Sequence, residues 1–99
     1  MSLENDFELE EDIKVKYPKK YKVFLLNDDY TTMDFVVDIL MSIFYKNYNE
    51  AETIMLDIHK NGQGLCGIYN HEIAQTKVIQ VETKSKDAGF PLKAIMEQE

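Results

Sequence analysis

Arginine is absent from this chain of 99 residues. All 11 basic positions are lysine, set against 18 acidic ones, for a formal net charge of −7. Nucleic acid and anionic lipid both require clustered positive charge, so neither is expected as a partner. Cysteine is nearly absent too: Cys66 stands alone, which excludes an intramolecular disulfide and points to a reducing compartment. With 4 Gly and 2 Pro, collagen-like and low-complexity chains are excluded. No run approaches a bilayer span, since the greasiest stretch, 35–45, is interrupted by Asp38 and Ser42. The opening Met-Ser-Leu-Glu-Asn-Asp carries neither the basic region nor the apolar core of a secretory signal. A cytoplasmic, soluble protein is therefore expected. Gly-x-Ser-x-Gly, the phosphate-binding P-loop and the dinucleotide glycine pattern are all missing.

What is present suffices for one small domain. Hydrophobic residues make up 44% and aromatics 11%, and a chain of this size buries roughly 65% of its unfolded surface. Charge is unevenly spread. Residues 1–12 hold six carboxylates and no lysine, so nearly the whole net charge sits there. Residues 1–19 read as a flexible acidic extension, joined near Pro18 to a single domain over 20–99.

Residues 21–26 are β-rich and run into Asn27-Asp28-Asp29, a strand-to-turn signal. Thr31 is expected to cap a helix over 32–46, with Asp34 in its first turn. Val36, Leu40, Ile43 and Phe44 form its dry stripe. Asn49 with Glu52 reads as the capping box of a second helix, which Gly62 ends. A short strand follows at 63–69. Asn70 then caps a third helix near 71–86, closed by Gly89, and 90–96 forms a last strand placed at an edge by Pro91. The order β-α-α-β-α-β predicts an α+β domain: a three-stranded antiparallel sheet covered on one face by three helices.

Three polar residues at the end of a strand serve as an ordinary Asx turn and cap, or gather around a cation. They do not form a calcium loop, which needs a glycine at its sixth position and a glutamate at its twelfth. His59 lies one helical turn after Met55, where a neutral imidazole accepts a hydrogen bond from an amine or makes a local bond. His71 stands on another element, and no metal-ligand spacing joins the two histidines, so neither metal nor cofactor is expected. Met33, Met55 and Met96 suit a core or an adaptable apolar pocket. Cys66, in a glycine-flanked strand, reads as an inert thiol. Together these features describe a binding module rather than an enzyme.

The segment Tyr21-Lys-Val-Phe-Leu-Leu-Asn-Asp-Asp-Tyr-Thr-Thr-Met33-Asp-Phe-Val closely resembles the ClpS family. The likeness continues through Met55-Leu-Asp-Ile-His59, Gly67-Ile-Tyr, Glu72-Ile-Ala-Gln-Thr-Lys77 and Phe90-Pro-Leu92. Members are adaptors that carry proteins with a destabilising N-terminal residue (Leu, Phe, Tyr or Trp) to the ClpA unfoldase of the ClpAP protease. The resemblance implies that Asn27, Asp28 and His59 hold the substrate α-amine and that Asp29 and Thr31 shape the pocket mouth. It implies that Met33, Val36, Met55, Ile58 and Leu92 line the hydrophobic pocket. Glu72, Thr76 and Lys77 would dock the unfoldase N-domain, and the acidic extension would assist hand-off. Thr32 departs from the family, which usually has proline there, a residue suited to the first helical position. The implied fold also resembles the C-terminal domain of the ribosomal stalk protein. A stalk-like interaction domain without the pocket is the alternative reading.

Overall fold

A computed structural model describes residues 19–99. The acidic extension predicted over 1–19 falls almost wholly outside the described residues. Strand β1, Lys20–Leu26, is the central strand of a three-stranded sheet of order β2-β1-β3. It pairs antiparallel with β2, Gln63–Asn70, and with β3, Lys93–Gln98. Alternation along β1 sends Val23 and Leu25 under the helices, where both are fully buried. A bulge opposite Val23 and Phe24 keeps Cys66 on that same inner face, at 1% exposure.

Helix α1, Met33–Ser42, buries Val36, Ile39 and Leu40. Its cap is Thr32, whose hydroxyl accepts from the Phe35 amide at 3.2 Å, and not Thr31 as expected. The physical reason is competition, because the Thr31 amide and hydroxyl are both already bonded to Asp28. Thr32 is thus a cap and not a first helical residue, and its hydroxyl performs a task that proline could not. The helix also ends four residues before the expected 46. Tyr45 adopts φ 54°, and the Lys46 amide reaches back to the Leu40 carbonyl at 3.0 Å. A left-handed residue after a helix end is usually glycine, and tyrosine in that position hides the stop from a reading based on glycines. Ile43 and Phe44 remain buried beyond the helix end.

Helix α2, Tyr48–Asn61, begins two residues earlier than predicted. Asn47 and Glu50, not Asn49 and Glu52, exchange the reciprocal bonds of the capping box, at 2.8 and 3.2 Å. Both pairs satisfy the Asn-x-x-Glu pattern, and the early stop of α1 selects the first. Gly62 ends α2 at φ 89°. Helix α3, His71–Ala88, is capped by Asn70 and stopped by Gly89 as predicted. Strand β3 begins only at Lys93, so Pro91 precedes it, while its edge position holds. The result is the α+β arrangement expected.

Candidate functional site

The turn after β1 is built around one carboxylate. Asp28 Oδ1 accepts from the amides of Tyr30 at 2.8 Å and Thr31 at 2.6 Å, and Oδ2 accepts from the Thr31 hydroxyl at 2.7 Å. Partial burial pushes this carboxyl upward. The bonds from Thr31 and Tyr30 outweigh it and hold the group below its ordinary 3.8. Asp28 is therefore a fixed anion at neutral pH. A carboxylate offers about four lone-pair positions, so three internal bonds leave about one for a ligand.

The same turn is tied to the far end of α2. The Asn27 amide donates to the Gly62 carbonyl at 2.9 Å, which brings the strand exit against the last turn of the helix that carries His59. Close packing of α2 on the sheet depends on Gly64 in β2. A Cβ there would lie 2.7 Å from Ile58 Cγ1 and 3.1 Å from the Ile54 carbonyl oxygen, too close for either to stay in place. Glycine inside a strand is itself a sequence signal of such close approach.

A cleft of about 270 Å³ opens between the turn, the start of α1 and the last turns of α2. Its walls are Asn27, Asp28, Asp29, Thr31, Met33, Val36, Met55, Ile58 and His59. These are nine of the ten residues expected for the amine site, the mouth and the apolar pocket. Leu92 is the exception: it is buried at 3% exposure in the core that includes Val36 and Ile58, behind the wall rather than on it. Drug-sized ligands occupy roughly 300–1,000 Å³. This cleft is smaller and matches one side chain with a polar head. The lining holds two carboxylates and no lysine, so it favours a cation at one end and an apolar group at the other.

Glu72, Thr76 and Lys77 lie together on the first half of α3 and do not border the cleft. Glu72 and Thr76 are exposed, and the Thr76 hydroxyl is spent on the Glu72 carbonyl at 3.0 Å. Lys77 is half-buried. Its ammonium donates to the Ile43 carbonyl at 2.6 Å and sits 4.6 Å from the centre of the Tyr45 ring. It thereby satisfies an end carbonyl of α1 and covers the strained Tyr45. This anchoring was invisible in the sequence, where the partners are more than thirty residues apart.

Among the described residues, no group of three or more His, Cys, Asp or Glu side chains converges to hold a metal, and no helix is long and apolar enough to cross a membrane. The ring of His71 packs edge-on against Tyr21 at 5.0 Å. Burial pushes the Cys66 thiol up to about 12, so it is no nucleophile at neutral pH.

A small α+β binding domain with a polar-mouthed apolar cleft is the class defined by this fold and geometry. Residues 16–95 match the family model for the ATP-dependent Clp protease adaptor protein ClpS. An ATP-dependent Clp protease adapter protein ClpS of Wolinella succinogenes is 55% identical over 96 residues, covering 95% of this chain and 94% of that one. Its counterpart in Acetivibrio thermocellus is 51% identical over 90 residues, 91% of each chain. Among solved structures, Agrobacterium tumefaciens ClpS2 bound to L-phenylalaninamide superposes with a TM-score of 0.80 at 38% identity, covering 83% of this chain and 99% of that one. The chain belongs to the ClpS family of Clp protease adaptors, and its role is that of an adaptor and not a catalyst.

Proposed function

We propose that this adaptor reads the N-terminal residue of its substrates, accepting a free α-amine bearing Leu, Phe, Tyr or Trp, and delivers them to the ClpA unfoldase of ClpAP. One observation carries the reading. Acceptors from Asn27, Asp28 and His59 line the same small cleft as the apolar side chains of Met33, Val36, Met55 and Ile58. An N-terminal residue presents that pair of demands together: an ammonium attached to a bulky apolar group. The ligand of the Agrobacterium relative, L-phenylalaninamide, has the same two features.

In this reading Asn27, Asp28 and His59 accept from the ammonium, and Asp29 and Thr31 border the mouth. Leu92 supports the pocket from behind. Burying a Leu or Phe side chain contributes roughly 1.5–3 kcal/mol, and each charge-assisted hydrogen bond about 1.5–3 kcal/mol. After the costs of association, an affinity on the order of micromolar follows. Glu72, Thr76 and Lys77 form the surface offered to the unfoldase N-domain, and the cytoplasm is the compartment in which the two meet.

The test is a fluorescent peptide with an unblocked N-terminal Phe, titrated with the full chain, followed by degradation of a Phe-initiated reporter by ClpAP. Saturable binding and faster degradation are expected. A peptide that fails to bind would return the chain to the stalk-like reading, and binding without faster degradation would remove delivery to ClpA.

A further inference from the structure

The sheet has a second face. Strand alternation that sends Val23 and Leu25 inward leaves Lys20, Lys22, Phe24 and Leu26 on the side away from the helices. The pairing registers build three cross-strand rows there: Ile68–Lys22–Glu97, Leu65–Phe24–Ile95 and Gln63–Leu26–Lys93. The middle row is wholly apolar. Leu65 and Ile68 are 41% and 44% exposed although they sit in regular strand, and no element among the described residues covers them. Around this apolar centre stand Lys20, Lys22 and Lys93 against the carboxylates of Glu97 and of Glu99, whose amide bonds to the Lys20 carbonyl, so the lysines outnumber the acidic side chains by one. None of these lysines forms an ion pair among the described residues.

We infer that this open sheet face is a docking site for the chain's own acidic segment, residues 6–12. That segment, Asp-Phe-Glu-Leu-Glu-Glu-Asp, combines two apolar side chains, Phe7 and Leu9, with five carboxylates. Apolar groups meet the Leu65–Phe24–Ile95 row, and the carboxylates meet lysine ammoniums whose long stems reach up around the occupant. Length permits the return. Seven residues, 13–19, separate the segment from β1, and seven extended residues span about 23–25 Å. The apolar row lies only four residues along β1 from Lys20, about 13 Å. Surface ion pairs screen with salt, so the docking weakens as ionic strength rises.

The test uses the full chain carrying Asn5→Cys with a nitroxide label. Cys66 is buried at 1% exposure and does not compete for the label. Paramagnetic broadening should erase the amide signals of Leu65, Ile68 and Ile95 while sparing exposed residues of α3 such as Gln80, and reducing the nitroxide should restore them. Phe7→Ser with Leu9→Ser should return those signals. Lys22→Glu with Lys93→Glu should do the same. Undiminished open-face signals in the labelled chain would overturn the inference. Broadening that appears only when a labelled chain is mixed with an isotope-enriched unlabelled one would also overturn it, by making a second copy the occupant.

Discussion

At the cleft, the Asp28 carboxylate is locked within its own turn and that turn is tied to α2, whereas on the first half of α3 Glu72 and Thr76 have no side-chain partner outside their helix among the described residues. Asp28 and Thr31 hold each other through two bonds, a third joins Asp28 to the Tyr30 amide, and the Asn27 amide is tied to the end of α2. On α3, Glu72 is exposed and Thr76 bonds only to its own helix, while Lys77 reaches the Ile43 carbonyl and, further along, Lys84 reaches Ser42 and Asp38 of α1. The difference fits the two roles proposed. A pocket for one residue needs acceptors already in place, because a small ligand has little binding energy with which to order them. A docking flank on a long helix spreads its contacts and tolerates mobile side chains.

Breaking the fixed side should have the largest effect. Asp28→Ala removes an acceptor and the carboxylate that shapes the turn. Affinity for an N-terminal Phe peptide should fall by about 3 kcal/mol, roughly a hundredfold, in a titration by anisotropy. Gly64→Ala strikes the same site from behind by forcing Ile58 and the α2 backbone outward. A loss of about 1–3 kcal/mol in denaturant unfolding is expected, with weaker peptide binding alongside it. Unchanged binding at normal stability would show that the cleft does not depend on how closely α2 sits.

Lys77 sharpens the comparison because it belongs to both sides of it. Lys77→Ala should reduce unfoldase docking and also cost about 1 kcal/mol of stability, through the lost bond to Ile43. Glu72→Lys should weaken docking with stability unchanged. Equal unfolding midpoints for the two variants would mean that the Lys77 anchor contributes nothing to the fold.

The smallest effect is one of pH. The Asp28 carboxyl is depressed in the folded state, so its stabilising contribution is complete above the ordinary 3.8 and is lost as pH falls through the lower, folded value. Wild type should lose slightly more stability than Asp28→Asn on acidification from pH 5 to pH 3, and parallel curves would remove this carboxylate from the turn's energetics.

Most of the cleft was legible through the resemblance to ClpS, whose motifs fall in two short stretches, 27–36 and 55–59; turn signals and helix periodicity alone gave a polar turn beside an apolar helix face. Element order and the caps at Asn70, Gly62 and Gly89 were legible for the same local reasons. What escaped was set by competition and distance. Thr31 and Thr32 are equivalent as caps until Asp28 claims the first. Tyr45 ends a helix in a conformation its residue type does not advertise, held under an ammonium supplied from α3. Leu92 has the right chemistry for the pocket, and only its packing places it behind the wall.

The central claim is that this cleft reads a free amine and an apolar side chain as a single unit. Calorimetric titration of the full chain with one Phe-initiated peptide, free and N-acetylated, tests it most directly. Acetylation removes the charge and two donors while leaving the ring intact, so the free peptide should bind at micromolar concentration and the acetylated one should show no heat of binding. Equal affinities for the two peptides would contradict the account.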